Sequence, residues 1–321
     1  MTGLSALKTR LLKVLRRHLG PLDEQAQKQI VLQSLLVAKV NRGVKRLRYL
    51  ADAEFRAFSQ WGEDGIIDWL IERLPQTPPT FVEFGVEDYR ESNTRLLLFL
   101  RNWRGLVLDG SSENIADIMR QEIYWRFDLT AKCAFINKDN INGLMSTVGF
   151  GGEIGLLSID IDGNDYWVWE AIDAIEPVIV VCEYNAVFGD VNQFSVPYNP
   201  DFQRTVAHSS NLYFGASLPA LIRLGKQKGY EFVGTNSSGC NAFFIRKHLA
   251  EQIIGSMDEV RAFPSAARES RNHRGQLTFV RGLGRAEIIA DLPVCDFATG
   301  RVRSIADMER LYSTDWLKAQ Q

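Results

Sequence analysis

The sequence predicts an α/β protein with a doubly wound, mostly parallel sheet of seven strands. Short apolar runs bounded by turn residues alternate with amphipathic stretches from about residue 58 onwards. Such runs are typical of strands that are buried on both faces of a parallel sheet. The strands are expected at Thr80–Phe84, Gly105–Leu108, roughly Glu122–Phe127, Gly155–Ile159, Val178–Cys182, Glu231–Gly234 and Ala242–Arg246.

Helices are expected between these strands, because the intervening segments carry apolar residues at intervals of three and four. They are expected at Glu63–Arg73, Asn93–Arg101, Ser112–Arg120, Ile141–Thr147, Tyr166–Ala174 and Ser217–Lys228. Only the segment Asn-Ser-Ser-Gly-Cys-Asn separates the last two runs, YEFVGT and AFFIRK. This linker is too short for a crossover helix, so the sheet must end in an antiparallel hairpin.

Residues 1–55 are predicted to form a basic helical extension. Residues 1–56 hold twelve Lys or Arg against four Asp or Glu, so with a net charge of −2 overall the remainder is near −10. Gly20 and Pro21 separate two amphipathic helices. The first helix, with Leu4, Leu11, Leu12 and Leu15 on one side, could pack on the domain. An anionic membrane surface or a partner protein is the alternative, and the acidic remainder disfavours nucleic acid.

The composition is that of an ordinary globular protein, with 45% hydrophobic and 24% charged residues. No stretch reaches the roughly 18 apolar residues of a membrane-spanning helix. The four cysteines form no CxxC pair, and charges interrupt the apolar positions of the first 20 residues. These features predict a cytoplasmic protein with reduced thiols. Its central domain is expected at residues 56–249, and residues 250–321 are expected to form a cap or an oligomer contact.

Acidic side chains follow the first two predicted strands, at the sheet edge where ligands bind in open α/β folds. The loop after Glu83 contains Gly85, through which backbone could approach a ligand, and three acids. A dinucleotide pyrophosphate would favour a glycine-rich loop instead. Asp109 lies about 20 residues after Gly85, where an acid can accept hydrogen bonds from ribose hydroxyls. Asp128 follows the predicted third strand and could line an adenine pocket.

The segment LLSIDIDGNDYWVWEAI places Asp160, Asp162 and Asp165 at the end of a central strand. Carboxylates this close together are costly unless a cation or a shared proton relieves them. Glu183 and Asn185 follow the next strand and would complete a set of oxygen donors for Mg²⁺ or another hard divalent cation. The alternative is that these side chains cap the following helix and order the loop.

His208 lies in a polar loop before the last crossover helix. Its ordinary pKa near neutrality would suit a general base. The alternative is an exposed loop histidine without a catalytic role.

At these motifs the sequence resembles the FkbM-like branch of class I S-adenosylmethionine-dependent methyltransferases, which occurs near polysaccharide and glycoside biosynthesis functions. The matching segments, within about residues 58–246, are SQWGEDG, FVEFGVEDYRESNT, GLVLDG, LLSIDIDGNDYWVWEAI, VVCEYN and GTNSSGCNAFF. The resemblance implies a Rossmann-like fold that ends in the antiparallel hairpin. It also implies cofactor contacts from Ser59, Gln60, Glu83, Gly85, Asn93, Asp109 and Asp128.

Asp160 and Asp162 also resemble the DxD strand end of metal-dependent sugar O-methyltransferases. In those enzymes the first acid binds magnesium and the second can take the hydroxyl proton. By that analogy Glu183 and Asn185 would be further metal ligands. Those enzymes tend to present adjacent acids after the next strand, whereas Tyr184 follows Glu183 in this chain.

The resemblance implies methyl transfer to an oxygen of a small polar acceptor such as a sugar. A nicotinamide-dependent oxidoreductase is the first alternative, and the missing GxGxxG motif and the terminal hairpin disfavour it. A non-catalytic scaffold of a glycan-assembly complex is the second alternative. The acidic side chains retained at the strand ends, which form an acidic rim, disfavour it.

Overall fold

The structure is a computed structural model that describes residues 25–265 and 267–319. The first predicted helix, with Leu4 to Leu15, lies outside the described residues. The second is observed as helix α1, which spans residues 25–43. No helix in the described part of the chain is both long enough and apolar enough to cross a membrane.

Ten strands form two sheets within the residues that the structure describes. In chain order they are β1 (Thr80–Phe84), β2 (Arg104–Asp109), β3 (Leu129–Cys133), β4 (Gly152–Ile159), β5 (Ile175–Glu183), β6 (Phe194–Ser195), β7 (Tyr230–Thr235), β8 (Asn241–Arg246), β9 (Pro293–Asp296) and β10 (Arg301–Ser304). The large sheet has the order β3-β2-β1-β4-β5-β8-β7. Its first five strands are parallel, and β8 is antiparallel to both β5 and β7. The predicted Rossmann-like fold with a terminal hairpin is confirmed.

Further helices connect the strands. They are α2 (Glu63–Arg73), α3 (Arg95–Arg101), α4 (Ser112–Arg120), α5 (Glu122–Arg126), α6 (Ile141–Ser146), α7 (Asp165–Ala171), α8 (Arg204–Ala207), α9 (Leu218–Gln227), α10 (Lys247–Ile254), α11 (Leu283–Ile288) and α12 (Thr314–Ala319). Short 3-10 helices occur at Leu50–Ala53, Ala186–Phe188 and Ile305–Asp307.

Side chains alternate between the two faces of the large sheet along each strand. Helices cover both faces and bury the apolar side chains there. Phe81 packs in one core with α2, α3, α4 and α10. Its neighbour Val82 packs in the other core with α6, α7 and α9. Burying a large apolar side chain stabilises the fold by roughly 1.5–3 kcal/mol. This two-sided burial explains why the strand sequences are almost continuously apolar.

The position predicted for the third strand is wrong. Residues Glu122–Phe127 were expected to form it, but Glu122–Arg126 are helix α5, and the strand is Leu129–Cys133. The aromatic run in EIYWRF favours a strand by composition, yet Ile123 is the one fully buried side chain of α5. The true strand lies at the sheet edge and alternates between buried and partly exposed residues. Asp128 therefore precedes β3 instead of following it.

The C-terminal segment is more regular than its sequence pattern predicts. Strands β9 and β10 pair with β6 in a three-stranded antiparallel sheet. The Tyr312 hydroxyl donates to the Val187 carbonyl at 2.7 Å, and Trp316 is buried in the core that also contains Val82. The segment therefore packs directly beside the loop that follows β5. The domain boundaries at residues 55/56 and 249/250 stay predictions.

Candidate active site

One cavity of about 500 Å³ opens at the carboxyl ends of the parallel strands. It lies where the strand order reverses between β1 and β4, the usual ligand position in open α/β sheets. The residues that line it from the strand ends are Glu83, Phe84, Gly85, Val86, Glu87, Asp109, Gly110, Ala134, Phe135, Ile136, Asp160, Ile161, Asp162 and Glu183. Further lining comes from Gln60, Trp61, Glu91, Ser92, Asn93, Asn164, Phe202, Arg204, Cys240, Asn241, Ala267 and Glu269.

Glu83 holds the loop that crosses the cavity after β1. Its carboxylate accepts hydrogen bonds from the Asn93 backbone N–H at 2.8 Å, the Thr94 backbone N–H at 3.2 Å and the Thr94 hydroxyl. Burial raises the pKa of Glu83 to about 7, against the effect of these bonds. The Asn93 amide in turn donates to the Ser158 hydroxyl on β4 at 3.1 Å. Glu83 thus positions the cavity wall in addition to lining it.

Gly85 is required by contact with β4. Its φ is +71°, and a Cβ at this position would lie 1.6 Å from the carbonyl oxygen of Asp160. This glycine was expected to allow close approach of the backbone to a ligand. In the structure the close approach is to Asp160, which brings the ends of β1 and β4 together.

We expect Gly85→Ala to lower the free energy of unfolding by roughly 3 kcal/mol or more, since the clash is with backbone that cannot rotate away. Gly149→Ala is a matched control, because Gly149 also has a positive φ, +76°, but its added Cβ would approach nothing closer than 3.7 Å. The control should cost about 1 kcal/mol, the penalty for a left-handed residue. Urea unfolding measures both, and equal losses would contradict the assigned contact.

Asp109 lies at the end of β2 and is 8% exposed. Its two carboxylate oxygens accept hydrogen bonds from the backbone N–H groups of Glu87 and Ser111, each at 2.8 Å. Glu87 has a φ of +47°, so Asp109 holds this residue in an unfavourable conformation. The carboxylate still lines the cavity, close to the apolar wall that Phe135 and Ile136 form after β3.

A second group of carboxylates follows β4 and β5. Asp160, Asp165 and Glu183 each have an oxygen within 4.8 Å of the other two. Asp165 is buried, and its oxygens accept the N–H groups of Ile161 and Gly163, both at 2.9 Å. Glu183 Oε2 is buried without a hydrogen-bond partner. Asp160 and Glu183 therefore have oxygens available for a cation or a hydroxyl.

Burial and mutual repulsion act together on this group. Burial raises the pKa of Asp160 and of Glu183 well above the ordinary carboxyl range, and neighbouring carboxylates raise both further. Burial likewise raises the pKa of Asp165 to about 6, although its hydrogen bonds oppose this shift. These shifts favour the protonated forms of Asp160 and Glu183.

Arg204 on α8 is the positive side chain of this cavity within the described residues. Its guanidinium donates to Asp162 at 2.7 Å and also to Glu269, and it lies 3.8 Å from the centre of the Phe214 ring. Its charge partly counteracts the raised pKa values of Asp160 and Glu183. Arg204 was not predicted as a site residue, because nothing in the sequence around the short helix α8 indicates that it folds over a strand end.

Several predicted site residues do not line the cavity, and some of them use their polar atoms in hydrogen bonds within the protein. Asp128 lies at the opposite edge of the sheet, and its side chain is 71% exposed. Ser59 is buried and bonded to Asp64, and His208 is bonded through Nδ1 to the Ser210 hydroxyl; neither lines the cavity. Gln60 does line it.

Asn185 is also absent from the cavity wall. Its amide donates to the carbonyls of Leu212 and Phe214 at 2.8 and 2.9 Å, and its oxygen accepts the Val187 N–H at 2.9 Å. It orders the loop after β5, as the alternative interpretation stated. The residues that the sequence analysis missed, Ala134 to Ile136, follow the true β3, and the misplaced third strand concealed them.

No family model and no curated protein matches this sequence. The N-terminal domain of EvdMO1, solved with S-adenosylhomocysteine (SAH) bound, is 11% identical, with 70% of this chain and 96% of that chain covered and a TM-score of 0.40. An O-methyltransferase from Bacillus cereus, in complex with SAH, is 10% identical, with coverages of 68% and 89% and a TM-score of 0.38. A S-adenosylmethionine-dependent methyltransferase from Clostridium acetobutylicum ATCC 824 is 9% identical, with coverages of 57% and 89% and a TM-score of 0.36. The fold assignment rests on strand order and register, not on these likenesses.

Proposed function

We propose that this chain is a S-adenosylmethionine-dependent methyltransferase that acts on a hydroxyl oxygen of a small polar acceptor, and that the acceptor is a sugar. One observation carries the proposal. A single cavity of about 500 Å³ is lined both by Asp109 and Phe135, which we assign to the donor half, and by the carboxylates of Asp160 and Glu183, which we assign to the acceptor half. Donor and acceptor could therefore meet in one cleft. The choice of a sugar rests on the resemblance of the sequence motifs.

The donor half suits a cationic nucleoside better than a dinucleotide. Asp109 has the position from which an acid accepts bonds from ribose hydroxyls. The loop after β1 contributes Glu87 and Glu91 to the cavity, and helix α3 begins only at Arg95. A pyrophosphate would lack the glycine-rich helix N-terminus that usually binds it, whereas a sulfonium would be attracted by these carboxylates.

The acceptor half can hold a hydroxyl and receive its proton. When bound, the donor supplies an electrophilic methyl group. Glu183 holds the acceptor hydroxyl through its unpartnered Oε2, with an oxygen of Asp160 within 4.8 Å, and Arg204 fixes Asp162 in the same cavity. We assign proton removal to Asp162, whose side chain is 59% exposed and lines the same cavity. His208 takes no part, because it does not line the cavity.

The residues present also fit a divalent cation. Asp160, Asp165 and Glu183 offer three oxygens, the donor type that Mg²⁺ and Mn²⁺ prefer. The raised pKa values and the unpartnered Glu183 oxygen agree with a cation at this position. A bound cation would lower the pKa of the acceptor hydroxyl. The proposed ligand set replaces Asn185 of the sequence analysis with Asp165.

Calorimetry with SAH and with NAD tests the proposal on the same folded preparation. We expect SAH to bind at one site per chain and NAD to give no heat of binding. Binding of NAD without binding of SAH would indicate an oxidoreductase and contradict the proposal. Absence of binding by both ligands would equally contradict it.

A further inference from the structure

An exposed loop at residues 268–281, named here the basic loop, lies at the rim of the cavity. We propose that it binds the phosphate or pyrophosphate group of the acceptor while the acceptor hydroxyl enters the cavity. The acceptor is then a phosphorylated sugar. This inference rests on the proposed function for the identity of the bound molecule, and on the charges of the loop for its chemistry.

The basic loop has a strong excess of positive charge. Four arginines and one histidine occur within it against a single acid, Glu269. The side chains are all exposed: Arg268, Arg271, His273, Arg274 and Arg281. Glu269 forms an ion pair with Arg204, which also pairs with Asp162. Among the described residues the loop arginines form no ion pair, and an anionic ligand would supply the missing counter-charge.

The loop is attached firmly to the cavity rim. Ala267 and Glu269, at its start, line the cavity. The buried Arg285 donates to the carbonyls of Ala267 and Ser265 at 3.0 and 2.8 Å, which holds this start in place. The Arg271 N–H donates to the Ser210 carbonyl at 3.1 Å, next to the loop that carries Arg204.

The tip of the loop is closed by backbone pairing. Arg271 and Leu277 form an antiparallel bridge, and the Asn272 N–H donates to the Gln276 carbonyl at 2.9 Å. His273 and Arg274 project from this short turn and are exposed. Arg271, His273 and Arg274 are therefore displayed on a hairpin in a loop that begins at the cavity wall.

The interior of the cavity and the basic loop carry opposite charges, and this difference would orient an acceptor. The interior presents carboxylates such as Glu87, Asp109 and Asp160, which repel phosphate and attract a sulfonium. The basic loop does the opposite, because arginine binds phosphate oxygens through two parallel hydrogen bonds. A phosphorylated sugar would consequently enter with its hydroxyl first and leave its phosphate at the rim.

Binding of inorganic pyrophosphate by the full chain tests this inference. We expect the wild-type chain to bind it at low salt, and Arg274→Ala/Arg281→Ala to bind it roughly tenfold or more weakly, since the variant loses two groups that can donate charged hydrogen bonds to phosphate oxygens. Lys247→Ala is the control, because Lys247 is an exposed cation on α10 outside this loop. Thermal melts of all three proteins should coincide, since the altered side chains are exposed.

Binding of lipid vesicles and binding of SAH are measured as well, so that each possible explanation gives a different result. Equal pyrophosphate affinity of wild type and double variant, or no binding by wild type, overturns the inference. Loop-dependent binding of vesicles of phosphatidylglycerol and phosphatidylcholine without pyrophosphate binding also overturns it, because Leu277 and Phe279 would then serve a lipid surface. SAH is titrated into the same preparations. Loop-dependent pyrophosphate binding without SAH binding would uphold the anion site and contradict the proposed methyl transfer.

Discussion

Replacing Asp109 with asparagine is expected to weaken SAH binding by roughly 100-fold, because hydrogen bonds to a charged group contribute about 1.5–3 kcal/mol each and the ribose offers two. Asp109 is the carboxylate at the end of β2, and its backbone partners Glu87 and Ser111 hold it in place. Asparagine keeps the size of the side chain but loses the charge. Calorimetry with SAH measures the difference in affinity.

The control for this substitution is Glu113→Gln, which removes one negative charge from an exposed position on the neighbouring helix α4. Its affinity for SAH should stay within about threefold of wild type, since exposed charges are screened. Thermal melts check that Asp109→Asn is folded. Equal SAH affinity of Asp109→Asn and wild type would remove Asp109 from the proposed donor site.

Asp160→Asn is expected to reduce methyl transfer by roughly 1000-fold, the range found for groups that assist proton transfer or stabilise charge at the reacting atom. Asp160 and Glu183 face the acceptor half of the cavity, so the loss should appear in turnover and not in donor binding. Transfer of a labelled methyl group from S-adenosylmethionine to a panel of sugars and sugar phosphates measures turnover. SAH affinity should change by less than about threefold.

A stability measurement separates this catalytic effect from damage to the fold. Asp160→Asn removes one of several crowded carboxylates, so at neutral pH without divalent cations it should raise the free energy of unfolding by about 1 kcal/mol. Asp139→Asn, at an exposed position, should alter neither turnover nor unfolding. Wild-type turnover by Asp160→Asn would exclude this carboxylate from the reaction.

The clearest sequence predictions concerned strands that are buried on both faces. Residues of β1, β4 and β5 form almost continuous apolar runs, because most positions along them are buried, and the polar residues that follow mark the strand ends. The edge strand β3 was misplaced because it lacks this two-sided burial. Only half of its residues face a core, so composition alone favoured the aromatic run of α5.

Sequence order alone also located the acidic side chains at the correct edge of the sheet. Asp109, Asp160 and Glu183 each end a parallel strand, and the carboxyl ends of parallel strands necessarily meet at one edge. Which groups hydrogen-bond to or contact the polar residues at the strand ends depends on the conformation of the loops. The Asn185 amide nitrogen donates to two backbone carbonyls more than 25 residues away in sequence, and Gly85 is required by contact with the residue that follows β4.

By itself, the sequence determined the Rossmann-like order of elements and the acidic rim, because both follow from local periodicity and from residues adjacent to strand ends. Tertiary structure alone decided which carboxylates converge, that Arg204 lies beside them and that the basic loop borders the cavity. These features depend on contacts between segments far apart in the chain. A hydrogen bond or ion pair across such distances leaves no periodic signal in the sequence, since it constrains two positions without constraining those between them.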